Sequence, residues 1–385
     1  MAGRNYDTIV AGVGGMGSAA AYELARRGHK VLGLEQFPLV HDRGSSHGQT
    51  RIIRKAYFEH PNYVPLAQRS FERWYNLEQA TGRHLLTECG CLNIGKDGSE
   101  LIAGVRRAAQ EHRLPVEHLN GTDLRKRFGQ LRFDDSYVAV LEKEAGFLYV
   151  EDCVRAHIEQ ARHIGADIHE QEPIVSWKAD ESHVEVQTQR GSYRAERLIV
   201  TAGAWAQSML AELGLPLTVR RKVLLWFGTH GDQAFRRDVF PIYLTNALGG
   251  FYYGFPVIDG LGHKAARHDL GETLTDPAQV ERGLRADDEQ DVRRFLTEHL
   301  PDANGPLRSH KVCLYTLTPD EHFIIDVHPQ HPRVVLAAGF SGHGFKFAPV
   351  VGEILADLAE TGRTGWAIDM FQLRRFGDSR RAARN

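Results

Sequence analysis

Hydrophobic residues along this chain fall into two rhythms, short solid runs and helical stripes, and their order predicts the architecture. Residues 6–11 (YDTIVA) form a brief apolar run of the kind a buried strand shows. Residues 18–27 (SAAAYELARR) are alanine-rich and closed by Gly28, which predicts a helix with a glycine stop. Residues 30–35 (KVLGLE) read as a second strand, so the N-terminal segment predicts a βαβ unit. The passage from strand through glycine to helix recurs far downstream. Across 197–214, RLIVTA is followed by Gly203 and an apolar stretch, AWAQSMLAEL, that predicts a helix. Across 333–362, RVVLAAG and FSGHG lead into a helix whose Phe347, Val350, Val351, Ile354, Leu355 and Leu358 share one face. Passages this far apart predict one parallel sheet assembled from distant segments.

Between them the rhythm changes. Residues 183–198 alternate in strand fashion around Arg190-Gly191, a hairpin signal. Residues 219–256 are rich in Val, Leu, Phe and Tyr, with a Gly249-Gly250 turn. Residues 100–113 and 278–299 predict charged amphipathic helices. With no repeat and no low-complexity linker, the pattern predicts a nucleotide-binding domain interrupted by a second domain built mainly on a twisted sheet.

Composition narrows the partners. The 385 residues carry 47 Lys+Arg against 49 Asp+Glu, a formal charge of -2, which gives no electrostatic reason to expect nucleic acid or an anionic membrane. Cys89, Cys91, Cys153 and Cys313 are too few for a disulfide scaffold and match no common zinc spacing, so no metal and a reducing compartment are expected. The N-terminus lacks the pattern of a signal peptide, and no apolar run approaches the roughly 20 residues that span a bilayer. A cytoplasmic protein with a small-molecule partner is the expectation. The basic end, Arg374, Arg375, Arg380, Arg381 and Arg384, reads as a solvated tail.

Candidate chemistry begins at Gly12-Val13-Gly14-Gly15-Met16-Gly17, a G-x-G-x-x-G set between strand and helix. Glycine there permits the tight turn, the approach of a pyrophosphate to backbone N–H groups, and close helix packing. Glu35 ends the second strand about 20 residues on, where a carboxylate can accept hydrogen bonds from ribose hydroxyls. These features predict a dinucleotide, without separating FAD from NAD.

Residues 44–54 (GSSHGQTRIIR), 311–316 (KVCLYT) with 320–326 (DEHFIID), and 338–347 (AGFSGHGFKF) resemble the monomeric sarcosine oxidase family, which includes N-methyl-tryptophan and pipecolate oxidases. The likeness runs in order over nearly the whole chain. It implies an α/β fold: a Rossmann-type FAD-binding domain of the glutathione-reductase-like kind (1–85, 145–220 and 322–385), interrupted by a substrate domain (86–144 and 221–321) on a mainly antiparallel sheet with helices. It also implies FAD attached covalently through Cys313, and oxidation of a secondary amino acid to the imine with oxygen reduced to hydrogen peroxide. An N-methyl substrate would then give formaldehyde and the primary amino acid.

The same resemblance assigns residues. Arg54, as a planar fork, and Lys346, as a point charge, match the family's substrate-carboxylate ligands. Arg51 and Thr50 match residues beside the flavin ring, and Ser45, Gly342, Gly344 and Lys346 join Gly12, Gly14, Gly15, Gly17 and Glu35 as cofactor contacts. Lys264 would hold charge where oxygen is reduced, and His268 would tune the amine. Tyr253, Tyr315 and Glu59 are expected to line the substrate pocket. Phe58 and His60 beside Glu59, and the residues around Lys264, depart from the pattern of sarcosine-preferring members, which leaves pocket volume open. A dehydrogenase with another electron acceptor, or a flavin-binding subunit without turnover, are the alternatives. The joint presence of Arg54, Lys346, Lys264 and Cys313 disfavours the second, and Cys313 disfavours an NAD-dependent reductase. A monomer is expected.

Overall fold

The computed structural model describes residues 5–377. The βαβ unit forms as its pattern requires: strand Asn5–Ala11, helix Gly15–Arg26 and strand Val31–Leu34. An eight-stranded sheet grows from it. Asn5–Ala11 lies between Val31–Leu34 and Gly191–Val200, all parallel, and Val334–Ala338 extends the parallel pairing beyond Gly191–Val200. Distant segments therefore share one sheet, as the apolar runs predicted. The hairpin forms too, with Val184–Thr188 antiparallel to Gly191–Val200.

A nine-stranded sheet holds the Val- and Tyr-rich middle of the chain. Thr218–Phe227 pairs antiparallel with Leu307–Leu317 along nearly its full length, and His263–Arg267, Gly250–Phe255 and Ile242–Ala247 follow in antiparallel order. One pair is parallel, Ile242–Ala247 with Cys91–Lys96. A small third sheet joins Thr50–Ile53, Gly146–Tyr149 and Leu86–Glu88. It fixes the strand that delivers Thr50, Arg51 and then Arg54.

Two predicted helices are shorter than their patterns, and each has a physical cause. After Gly203 the chain makes only turns and a single helical turn, Ala206–Met209, before Gly214 reverses it in the left-handed region. Ala206 and Leu210 are buried against the sheet while Trp205 and Met209 border a cavity, a two-sided demand that one straight helix cannot meet. The predicted helix over 278–299 is helical only at Gln290–His299. Upstream, the carbonyls of Glu281 and Gly283 accept from the buried guanidinium of Arg221 at 2.9 and 2.7 Å, so they are withdrawn from any helical ladder. Of the basic end, Arg374 and Arg375 are not a free tail, being paired with Asp369 at 2.6 Å and Asp320 at 2.8 Å. Arg380, Arg381 and Arg384 lie outside the described residues. No helix among the described residues is long and apolar enough to cross a membrane.

The core that positions the nucleotide end is a helix sandwich. Helix Gly15–Arg26 packs against Ala348–Thr361, and at the crossing a Cβ on Gly352 would stand 2.7 Å from the backbone carbon of Ala19. Backbone contact of this kind fixes the separation of the two helices. Gly352→Val should therefore force them apart and destabilise the protein by about 1–3 kcal/mol, seen as a lowered Tm in thermal unfolding; an unchanged Tm would contradict that packing.

Candidate active site

One cavity of about 850 Å³ runs from the glycine turn to Lys346. At its first end Gly12 adopts φ +90°, and a Cβ there would lie 2.7 Å from the carbonyl oxygen of Thr201. A Cβ on Gly17 would lie 1.8 Å from the Gly12 oxygen, so the third glycine is a packing residue that does not reach the cavity. Gly14 faces open space, its nearest neighbour being Ser46 Oγ at 3.8 Å from a built Cβ. Thr201 Oγ1 donates to the Gly12 oxygen at 2.8 Å and completes the turn, a contact that nothing in the sequence marked. Glu35 is buried and accepts from the N–H groups of Val13 at 2.9 Å and Phe37 at 3.1 Å, leaving lone pairs toward the groove.

Midway, Arg51 ties three segments together. Its guanidinium donates to the Thr50 oxygen at 2.8 Å and the Ser45 oxygen at 2.6 Å, and lies 3.3 Å from Cys313 Sγ. Ser45 Oγ donates to the Leu314 oxygen at 2.5 Å, binding the same loop to the cysteine strand. Cys313 is buried just behind the wall. Lys264 is buried behind it as well: its ammonium donates to the Gly48 oxygen (2.7 Å), the Thr50 oxygen (3.0 Å) and Thr50 Oγ1 (3.1 Å), between the rings of Trp226 and Phe255. Burial, followed by the Arg51 charge, pushes its pKa well below that of a free lysine. Lys264 therefore meets the cavity through Thr50.

At the far end Arg54 and Lys346 converge. Arg54 donates to the Ala56 oxygen at 3.0 Å and, through Nη2, to both carboxylate oxygens of Glu59 at 2.7 and 2.8 Å. Glu59 thus lines the cavity as an ion-pair partner of Arg54. Lys346 donates to the His343 oxygen at 2.5 Å and to the Tyr57 hydroxyl at 3.2 Å. Burial, then the neighbouring Arg54 charge, lowers the Lys346 pKa to about 7. The turn ahead of it depends on glycine. Gly342 sits at φ +79°, and a Cβ would come 2.3 Å from the Tyr315 ring.

Opposite stands an aromatic wall. Tyr253, Phe251 and Tyr315 line it with His268, whose Nδ1 is 3.3 Å from the Tyr315 hydroxyl. Burial, then the nearby Lys222 charge, holds the His268 pKa down to about 3, so the imidazole is neutral. Lys222 itself is buried and donates to the carbonyl oxygens of His268, at 2.6 Å, and of Leu270, pinning that turn. Sequence reasoning missed Lys222; a run of three cations, Arg220-Arg221-Lys222, inside a strand that continues as VLLWF was the available signal. Glu142 was missed too, and it accepts from the N–H groups of Lys55 and Ala56 at 2.7 and 2.9 Å, fixing the chain just beyond Arg54.

Of the sequence-predicted residues, Gly12, Gly14, Gly15, Glu35, Ser45, Thr50, Arg51, Arg54, Glu59, Tyr253, His268, Tyr315, Gly342, Gly344 and Lys346 all border this one cavity. Gly17, Lys264 and Cys313 stand behind its wall. The site unites a nest for an extended dinucleotide with a cationic chamber able to grip a carboxylate. The residues fit FAD on their own terms: the turn at Gly12 admits no side chain, Glu35 keeps acceptor capacity, and the groove is continuous as far as the chamber.

Such a joining of nucleotide groove and acid-binding chamber defines an oxidoreductase that works on a small acid beside a bound cofactor. Residues 7–358 match the family described as DAO, FAD dependent oxidoreductase, and the chain belongs to that family. It is 45% identical over 375 residues to the monomeric sarcosine oxidase of Streptomyces avermitilis, covering 96% of this chain and 97% of the relative. It is 38% identical over 375 residues to the N-methyl-L-tryptophan oxidase of Yersinia pestis, covering 97% of this chain and 100% of that one. Among solved structures, L-proline dehydrogenase from P. horikoshii superposes with a TM-score of 0.84 at 21% identity, covering 97% of this chain and 98% of that chain. Glycine oxidase from Geobacillus kaustophilus gives 0.82 at 21%, covering 96% and 99%; at these identities both speak for the fold alone.

The cationic chamber sets a pH dependence. Lys346 is charged below its pKa of about 7 and loses its proton above it, whereas Arg54 keeps its charge. Binding of methoxyacetate, a small carboxylate, should be tightest at pH 6 and weaken as pH rises through 7 to 8, followed by titration of the flavin absorbance. In Lys346→Met the slope should flatten; a slope that survives would assign the titration to another group.

Proposed function

We propose that this protein is an oxidase of N-methyl or other secondary amino acids of the sarcosine type. It would use oxygen and yield hydrogen peroxide, formaldehyde and the primary amino acid when the substrate is N-methylated. The observation that carries this reading is the pairing of Arg54 and Lys346 at the end of the nucleotide groove, facing the neutral wall of His268, Tyr315 and Tyr253. Bound FAD supplies a two-electron acceptor for the carbon beside the amine and hands the electrons on to oxygen.

The chain's own residues then do the following. Gly12, Gly14, Gly15, Glu35, Ser45, Gly342 and Gly344 hold the cofactor, with Gly17 packing the turn behind them, within a binding portion proposed to comprise 1–85, 145–220 and 322–385. Cys313 is its covalent anchor, with the Arg51 guanidinium donating to the sulfur at 3.3 Å. Arg54 and Lys346 fix the substrate carboxylate, so that the donor carbon is held in one orientation. Glu59 yields its place on Arg54 Nη2 as the carboxylate arrives. Neutral His268, with Tyr315, receives the amine without adding positive charge. Lys264 supports Thr50 and brings cationic character to the side proposed for oxygen reduction. A monomer in the cytoplasm completes the reading; the cysteines other than the anchor, Cys89, Cys91 and Cys153, are free thiols and suit a reducing compartment.

Acid precipitation of the purified protein tests the anchor. Yellow colour should stay with the pellet, and Cys313→Ser should release it to the supernatant. Peroxide should form with sarcosine, N-methyl-tryptophan or pipecolate; silence with all of them, together with activity on a dye acceptor, would favour a dehydrogenase. Glu59→Gln removes the anion that competes for Arg54, so methoxyacetate should bind about fivefold tighter at pH 6, equivalent to about 1 kcal/mol. Weaker binding in that variant would mean that Glu59 helps to hold the ligand.

A further inference from the structure

A two-cation clamp works only if both charges aim at one point; the carboxylate on Arg54, Glu59, lines the cavity, and among the described residues Lys346 has hydrogen bonds only to neutral oxygens. We propose that Tyr57 is the positioning residue for both, its ring face set against Arg54 and its hydroxyl against Lys346, with His343 fixing the direction of the hydroxyl proton. The inference rests on the reading of Arg54 and Lys346 as carboxylate ligands.

Tyr57 is wholly buried and packs against Tyr63 and Phe347, with ring centroids 4.7 and 5.2 Å away. The backbone just before it is held by Glu142 through the N–H groups of Lys55 and Ala56. Its ring is therefore a fixed platform. The Arg54 guanidinium carbon lies 4.1 Å from the ring centroid, a cation–π distance that sets the plane of the fork while Nη1 is tied to the Ala56 oxygen.

The hydroxyl end can be oriented from the chemistry of its neighbours. His343 Nε2 lies 3.0 Å from the Glu321 carbonyl oxygen, which only accepts, so Nε2 carries the hydrogen. Burial, then the Lys346 charge, pushes the His343 pKa well below its usual value, and the ring is neutral. Nδ1 is then an acceptor, and the Tyr57 hydroxyl, 2.7 Å away, donates to it. The alternative acceptor, the His343 oxygen, is more distant at 3.3 Å and already receives Lys346. With its proton committed, the Tyr57 oxygen presents lone pairs to Lys346 at 3.2 Å. Two of the three ammonium hydrogens are thereby fixed, by Tyr57 and by the His343 oxygen. The third is left for a ligand in the cavity that Lys346 lines.

The test uses the FAD-loaded enzyme and methoxyacetate as probe, with binding read from flavin absorbance rather than turnover. Tyr57→Phe keeps the ring under Arg54 and removes only the acceptor for Lys346. Binding at pH 6 should weaken about tenfold, and the alkaline fall in binding should move to lower pH, because the ammonium has lost a partner. Arg51, Arg54, Glu59, Cys91 and His343 face Lys346 in both proteins, so the displacement reports the hydroxyl. In a Lys346→Met background, Tyr57→Phe should change binding less than twofold, whereas in an Arg54→Met background the tenfold loss should persist. With sarcosine, the dissociation constant for anaerobic flavin reduction should rise while the limiting rate stays within threefold. Equal losses in both backgrounds, or an unmoved pH profile, would overturn the role of Tyr57 while leaving the oxidase reading intact. A wild-type protein that neither binds methoxyacetate nor is reduced by any N-methyl amino acid overturns both.

Discussion

Removing a cation from water is among the most costly things a fold can do, and this fold does it repeatedly around one cavity. Arg54, Lys222, Lys264 and Lys346 are all buried, while among the described residues Glu59, on Arg54, is the one carboxylate hydrogen-bonded to them. The others are held by neutral oxygen: backbone carbonyls of Gly48, Thr50, His268 and His343 and the hydroxyls of Thr50 and Tyr57. Carbonyl dipoles stabilise the charge without neutralising it. Below about pH 7, where Lys346 keeps its proton beside Arg54, the chamber has a positive potential that a carboxylate ligand, or an electron-rich cofactor end, would relieve.

That arrangement explains the backbone around it. The loop over 44–50 must bring Ser45, Gly48 and Thr50 oxygens to Arg51 and Lys264, and Gly48 meets this with φ +89°. Glu142 and Lys222 act at one remove, each spending its own charge on main-chain groups: N–H donors beyond Arg54 in one case, carbonyls beyond His268 in the other. The aromatic platforms follow the same logic, since a ring face accepts a cation without carrying a counter-charge, as under Arg54 and beside Lys264.

How much of this the sequence discloses depends on whether a demand is local. The turn at Gly12 is legible because φ +90° and the approach of Thr201 exclude every side chain but hydrogen, and such a demand writes itself into consecutive residues. Arg54 and Lys346 were legible through motifs, and the cavity unites them. Lys222, Glu142 and the partners of Tyr57 were not, because each bond joins elements far apart in the chain: Glu142 to residue 55, Lys222 to residue 268, Tyr57 to residue 343. Helix limits failed for a related reason. The stretch after Gly203 has helical composition, but the sheet on one side and the cavity on the other share its apolar faces, and tertiary demand overrides propensity.

In the proposed reaction the same electrostatics bear on the amine. An amino acid enters as a zwitterion, yet a protonated amine has no lone pair to assist loss of hydride from the adjacent carbon. Arg54 and Lys346 offer the carboxylate strong partners, whereas the wall of neutral His268 offers the ammonium no counter-charge. Like charge disfavours the protonated form, so the bound amine's pKa falls and its neutral form becomes accessible near neutral pH. The wall of His268, Tyr315 and Tyr253 can then be read as a surface suited to an uncharged amine, and its lack of a carboxylate as functional. An anionic residue on that wall would improve substrate binding and, by stabilising the ammonium, would work against the oxidation that binding serves.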